Sequence, residues 1–363
     1  MAVTTTKEAP PRRFGFKRWI VLGLIVLGAY LAFGVGGIFK PVSPAVVLPG
    51  EPVWPSLPWL TNTLLSTLVA DLLLFLMAFG AYRYVRSGKL VPSGFYNFFE
   101  FLIEFLWNAT ESTAGRWAKH IFPWMATIFL LVFFANLIRV IPGFESIGYV
   151  TTPHEESIQG YAPVQLLPGF YAIDGSHPVE AVHAEEGEEH AETAVAANGA
   201  PCTSCTVVPF LRGAATDLNF TFALAVIAVV MIQVFGVYAL GLRYFGKFIN
   251  TGGMISKPFF GVIDFGVGLL EAVSQVSAIL SFGFRLFGNI FAGALLLSIV
   301  GALTAVVVPS FLYALEIFVG AIQAYVFAML ALVFMSQATV SHHGDDHGDE
   351  AGHVDLHPEA AAA

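Results

Sequence analysis

Six polar residues recur at helical intervals inside two long apolar stretches of the chain: Asp264, Glu271, Arg285 and Asn289 in the first, Glu316 and Gln323 in the second. Arg285 poses the sharpest question. It sits within Ser281-Phe-Gly-Phe-Arg285-Leu-Phe-Gly-Asn289-Ile-Phe-Ala-Gly293. A cation there costs about 2.5–3.5 kcal/mol on insertion scales, and a guanidinium cannot avoid that cost by losing its proton. Carboxyl groups differ, because in hydrocarbon they can take up and release protons. Ser277, Ser281, Arg285 and Asn289 follow at four-residue steps, Glu271 lies fourteen residues before Arg285, and Asp264 seven before that. Such intervals keep side chains near one helix face, with slow drift around it. Glu316 and Gln323 are again seven apart, flanked by Tyr313, Gly320 and Tyr325. Titratable carboxyls beside one permanent cation describe a proton path with an electrostatic gate. The plainer alternative is a structural ion pair between Arg285 and a glutamate, orienting two helices. Asn136 and Gln233, each alone in an apolar span, are read as interhelical hydrogen-bonding residues, and Asp71 as an interfacial or helix-start residue.

These side chains need long helices to hold them. With 56% hydrophobic, 14% aromatic and 12% charged residues over 363 positions, the chain is too apolar and too charge-poor for an ordinary soluble protein. Its apolar runs reach about twenty residues or more without two-residue alternation, so they are expected to be spanning helices rather than barrel strands. They cover Trp19 to Phe39, Leu60 to Tyr82, Ile121 to Ile141, Leu218 to Leu242, Phe259 to Val300 and Leu303 to Met335. The expected fold class is therefore all-α, a polytopic membrane protein with about six hydrophobic segments. The fifth is long enough for two passes or for one tilted, bent helix. The net charge of −9 is local in origin, since the excess acid lies around Glu180 to Glu192 and after Ser341. The membrane body is close to balanced, so membrane lipids are expected partners and nucleic acid is not.

Basic residues orient the chain through their preference for cytoplasmic loops. Lys7, Arg12, Arg13, Lys17 and Arg18 precede the first span; Arg83, Arg86 and Lys89 follow the second; Arg116 and Lys119 precede the third; Arg243, Lys247 and Lys257 follow the fourth. The other side receives Lys40, Arg139 and Arg212. Both termini are then cytoplasmic. The expected organisation runs from a basic cytoplasmic N-terminus (1–18) through an extra transmembrane helix or signal segment (19–39) and an external Pro-rich connection (40–59). Transmembrane helices with a cytoplasmic amphipathic segment follow (60–142), then an external acidic and His-bearing insert (143–216). Channel-core helices (217–340) and a cytoplasmic His/acid-rich tail (341–363) complete it. The amphipathic segment, Phe95 to Trp117, carries Phe98, Phe101, Leu102, Phe105 and Leu106 at helical spacing and is expected on the membrane surface.

Two further clusters stand apart. The insert carries Cys202-Thr-Ser-Cys205, followed by Thr206 rather than His, so the c-type haem attachment pattern is absent. A local disulfide or two free thiols are the expected forms outside the cytoplasm. In the tail His342, His343 and His347 lie among acids, where weak metal binding is the alternative to a solvated, disordered segment. No cofactor is expected. No G-x-x-x-x-G-K-[ST] phosphate loop occurs in the sequence, so ATP chemistry is not expected of this chain.

The stretch Ser281 to Gly293 closely resembles the signature helix of subunit a of the F-type ATP synthase. Leu315-Glu316-Ile-Phe-Val-Gly-Ala-Ile-Gln323-Ala-Tyr-Val-Phe resembles that family's last helix, and Asn136-Leu-Ile-Arg-Val-Ile-Pro-Gly143 resembles a third, weaker segment. The resemblance covers roughly residues 60 to 145 and 215 to 340. It implies a non-catalytic stator subunit of the bacterial inner membrane, whose long tilted helical hairpin packs against a rotor ring of c subunits, with peripheral-stalk b subunits as further partners. It implies two offset half-channels kept apart by Arg285, with Asn289 and Gln323 close to that arginine. Glu271 would belong to the cytoplasmic side of the path and Glu316 to the external half-channel. The family often has Glu or His where this chain has Ala294, paired with the position of Glu316. Glu316 is therefore expected to act with water or with an unassigned residue, Asp264 being one candidate if the helix bends. The alternative function is an independent metal or ion transporter with a His-rich metal-binding tail.

Overall fold

The computed structural model describes residues 18–23, 26, 42, 47, 49–54, 56–86, 94–141, 143–153, 159–179, 202–248, 258–303 and 307–340. Six named helices dominate it: α1 (Asn62–Arg86), α2 (Phe95–Ala114), α3 (Ala118–Arg139), α4 (Leu218–Leu240), α5 (Pro258–Leu303) and α6 (Val307–Ala338). Five helical stretches are long and apolar enough to cross a membrane, α2 and α3 counting as one. The first segment expected from the sequence falls largely outside the described residues, of which 18–23 are helical. The His-rich tail lies outside them entirely.

The fifth segment is neither two passes nor broken. Its 46 residues form one uninterrupted helix, about 69 Å long at 1.5 Å per residue. That is more than twice a hydrocarbon core of about 30 Å, so in a bilayer α5 must tilt steeply or extend beyond it. The amphipathic segment is helical as α2, with Phe98, Phe101 and Phe105 exposed and Leu106 fully buried. Gly115, with φ of +48°, lets the chain turn before α3 begins. Asp71 lies well inside α1 rather than at its start, and its side chain is exposed.

The described part of the insert is built mainly of strands. Four short strands form two antiparallel pairs: β1 (Gly148–Thr151) with β4 (Thr206–Pro209), and β2 (Gly160–Leu167) with β3 (Phe170–Val179). Pro168-Gly169 turns β2 into β3, Gly169 taking the φ of +81° that such a turn requires. Cys202 and Cys205 form a disulfide with an S–S distance of 2.04 Å. Cys205 pairs its backbone with Tyr161 through two hydrogen bonds of 2.9 Å, which fastens β2 beside the bridge.

The chain falls into two compact units. One comprises Met1–Val91, Thr127–Leu224 and Ser281–Phe327. Here Asp217 caps α4 by accepting the Asn219 N–H at 2.8 Å and accepts the Thr63 hydroxyl at 2.7 Å, tying the starts of α1 and α4 together. Ala70, Ala135, Ile138 and Ala214 form the apolar core of this region. The other comprises Pro92–Ala126, Ala225–Leu280 and Ala328–Ala363. In it Leu106, Ile121 and Met125 are fully buried, and the Ser336 hydroxyl donates to Thr113 O at 2.9 Å.

Candidate functional site: a polar line within apolar helices

In the first unit the C-terminal half of α5 pairs antiparallel with α6. Phe282 meets Phe327 with ring centroids 5.2 Å apart and planes tilted by 52°, Asn289 Nδ2 donates to Gln323 Oε1 at 2.5 Å, and Gly293 faces Glu316. Small residues permit this approach. A Cβ at Gly293 would lie 3.2 Å from Glu316 Oε1, and one at Gly320 would lie 3.1 Å from Asn136 Cβ. Asn136 Nδ2 in turn donates to Gly320 O at 3.3 Å, so this polar residue joins α3 to α6.

Arg285 is exposed in the chain by itself. Its Nη2 donates to Ser281 Oγ at 3.4 Å, and among the described residues no carboxylate forms an ion pair with it. The structural ion pair considered for Arg285 exists, but with another arginine. Glu316 Oε1 lies 2.8 Å from Arg139 Nη2, as an ion pair rather than an aligned hydrogen bond. Arg139 Nε also donates to Glu145 Oε1 at 3.2 Å, and its Nη1 to Ile290 O at 3.4 Å. The side chain of Arg139 is 5% exposed, that of Glu316 10% and that of Glu145 38%. Glu145 Oε1 accepts the Gly213 N–H at 2.9 Å as well. One guanidinium thus bridges a buried and a half-exposed carboxylate. Glu316 has a charged partner in Arg139, so it does not depend on Asp264; of Asp264 only the helical backbone is described.

A cavity of about 200 Å³ adjoins this cluster, lined among others by Glu51, Glu145, Arg212, Thr216, Ala294 and Ser298. Ala294, where the resemblance led to the expectation of an acid or histidine, lines this cavity as an alanine. Arg212 donates to Pro49 O at 3.0 Å and to Val47 O. Burial pushes its guanidinium below the ordinary arginine value, while Glu145, Glu51 and Asp217 pull it back up. It stays charged at any ordinary pH.

Gln323 is 3% exposed, and its Nε2 has no acceptor among the described residues. A buried amide donor left so costs about 1–3 kcal/mol unless water meets it.

The second unit holds a separate chain of hydrogen bonds. Tyr244 OH donates to Gln233 Oε1 at 2.7 Å, Gln233 Nε2 to Gln275 Oε1 at 3.1 Å, and Gln275 Nε2 to Glu271 Oε1 at 2.9 Å. Gln233 does bond across helices, from α4 to α5. Tyr244 lies in the short helical turn Gly241–Lys247 after α4. Its hydroxyl is raised above the ordinary tyrosine value, first by burial and then by the charge of Glu271.

Sequence reasoning missed Arg139, Glu145, Tyr244 and Gln275. A signal existed for the first: Arg139 ends an apolar span on the side that the basic residues otherwise avoid. A cation placed against that trend calls for a partner.

The family model described as ATP synthase A chain matches residues 63–336. An ATP synthase subunit a of Campylobacter jejuni subsp. jejuni serotype O:6 is 27% identical over 262 residues, covering 71% of this chain and 83% of its own. One from Pseudoalteromonas translucida is 28% identical over 263 residues, covering 71% and 77%. The matched span takes in α1 to α6 and both polar clusters, and the chain belongs to the ATP synthase A chain family.

Proposed function

We propose that the chain is the proton-conducting stator subunit of an F-type ATP synthase, in which Arg285 separates two offset half-paths and couples proton flow to the turning of a c-subunit ring. The observation that carries this reading is the pairing of α5 with α6, which sets Asn289 on Gln323 and places Gly293 against Glu316 along the helix that presents Arg285. One half-path would run from the cavity past Arg139 and Glu316 to Asn289 and Gln323, whose unsatisfied amide donor suits a hydrated route. The other would use Glu271 with Gln275, Gln233 and Tyr244.

Arg285 belongs on this reading to a covered surface. Ser274, Ser277, Ser281, Arg285 and Gly288 are all exposed and recur at three- and four-residue steps along α5. Small residues beside a fixed cation let another helix approach closely and present a carboxylate to it. A c-ring carboxylate fits that requirement, and membrane lipids and peripheral-stalk b subunits would cover other faces. Each charge moved through the membrane is worth about 2.3 kcal/mol per 100 mV, so several transfers must be summed for one ATP. A rotor does that summing, and the chain itself catalyses nothing. The chain would lie in a bacterial inner membrane, and the distribution of Lys and Arg supports an orientation with both termini in the cytoplasm.

The test is Arg285→Ala in the whole complex. Purification from native membranes should bring down a proteolipid ring and stalk helices with the variant. Proton-driven ATP synthesis in vesicles should fall to background. Assembly with normal coupled synthesis would end the proposal, as would a native preparation lacking any ring.

A further inference from the structure

We propose that Glu145 is the carboxylate through which protons reach Glu316 from the cavity, and that Arg139 is the positioning residue holding the two acids at one site. This rests on the proton-conducting reading above and deepens it. Glu145 and Ala294 both line the cavity. α5 offers only an alanine to this space, and an acid from the loop after α3 enters it beside that alanine. It is held there at two points, by the Gly213 N–H at 2.9 Å and Arg139 Nε at 3.2 Å. The glycine matters, because a side chain at position 213 would run into that of Arg139.

Charge balance gives the site its work. One guanidinium offsets one carboxylate, so the trio of Arg139 with both acids ionised carries a net charge of minus one, beside a charged Arg212 that interacts with Glu145. Uptake of one proton makes the trio neutral. A hydronium in the cavity gives its proton to Glu145 and is left as water. The new O–H bond on Glu145 then breaks as one forms, directly or through a water, on Glu316, which releases its proton toward Asn289 and Gln323. One proton enters for each that leaves, and Arg139 remains charged throughout. Arg139 exchanges its stronger contact between whichever acid is ionised.

The other charged and titratable groups around the cluster are Arg212, Glu51, Asp217 and Tyr313. Two of them are committed elsewhere. Arg212 binds the Pro49 and Val47 carbonyls, and Asp217 accepts from Thr63 and Asn219. Glu145 is therefore the acid that combines exposure to the cavity with contact to the buried pair.

The experiment uses the assembled complex in inverted vesicles, reading ATP-driven acidification across a pH series. Glu145→Gln keeps a carbonyl to accept from Gly213 and Arg139 but carries no proton. Acidification should slow by about a hundredfold or more, the range expected for loss of a proton-transfer group. Adding Ala294→Glu to that variant should restore most of the rate. Arg139→Lys should retain more flow than Arg139→Gln and should displace the pH optimum, which a merely structural arginine would not do. A Glu145→Gln complex with wild-type rates at every pH overturns the proposal. Should that variant fail to assemble, Glu145→Asp replaces it: a displaced pH profile is expected, and an unchanged one overturns the proposal. Arg285→Ala separates the two readings. If it abolishes coupling while Glu145→Gln is silent, only the role of Glu145 falls; if it leaves coupling intact, the proton-conducting reading falls.

Discussion

Arg285 and Arg139 show how differently one residue type is used in a single chain. Arg139 is satisfied within its own unit by two carboxylates and a carbonyl oxygen, whereas Arg285 is exposed and among the described residues has a serine hydroxyl beside it and no carboxylate paired with it. A paired cation holds structure; an unneutralised one on an apolar helix is set for a partner. Tyr244 makes a similar point for a neutral group, since its hydroxyl starts the hydrogen-bond sequence that ends on Glu271. Its folded value is raised, so the stability it contributes is complete below the ordinary tyrosine value and vanishes as pH climbs through the folded value. A phenolate cannot donate to Gln233. Subtracting the alkaline absorbance titration of a Tyr244→Phe variant from that of the parent should leave a component that ionises above the ordinary value. A component at or below it would contradict the buried, hydrogen-bonded hydroxyl. The substitution should cost about 0.5–1.5 kcal/mol, the net worth of one such hydrogen bond.

At the level of elements, the hairpin of α5 and α6 is what turns sequence spacing into chemistry. Seven-residue intervals place Glu316 and Gln323 on one face of α6, and the antiparallel pairing carries that face along α5 past Asn289 and Gly293. Gly293 is the tightest point opposite Glu316. Alanine there, with its Cβ 3.2 Å from the carboxylate oxygen, needs a shift of a few tenths of an ångström. Valine adds two methyl groups in the same place. Gly293→Ala should therefore keep most proton flow. Gly293→Val should lose most of it by pushing Glu316 off Arg139, with a stability loss of about 1–3 kcal/mol from overpacking. Vesicle acidification measured alongside thermal unfolding of the complex distinguishes the two, and equal, wild-type-like flow in both variants would show that this contact does not set the carboxylate. The hairpin was legible in the sequence because its period is local. The strands of the insert were not, since β1 pairs with β4 across more than fifty intervening residues and the strands carry no sustained alternation. The Arg139–Glu316 pair escaped for the same reason, as the two residues are far apart in sequence and no local interval links them.

For the whole molecule, the distribution of positive charge predicts which side of the membrane each loop faces. Arg139 and Arg212 are two of the three basic residues placed against the cytoplasmic bias, and both sit among carboxylates. Their presence on that side has a structural reason, so the asymmetry of the remaining Lys and Arg residues is more marked than a bare count suggests. The disulfide offers a clean way to test the orientation. The chain has two cysteines, both in the Cys202–Cys205 bridge, so the parent protein presents no free thiol. Leu167→Cys places one on the β2–β3 hairpin, where Leu167 is 63% exposed. Gly246→Cys places one in the turn after α4, where an added Cβ meets nothing within 4 Å. A membrane-impermeant maleimide should label Leu167→Cys in intact spheroplasts but not from the outside of inverted vesicles, and Gly246→Cys the other way round. Labelling of both from one side would put the insert and the α4–α5 connection on the same face, which a single crossing by α4 forbids. A clean reversal would keep the crossing but set the insert and its cavity in the cytoplasm, and the half-path through Glu316 would then have to open there.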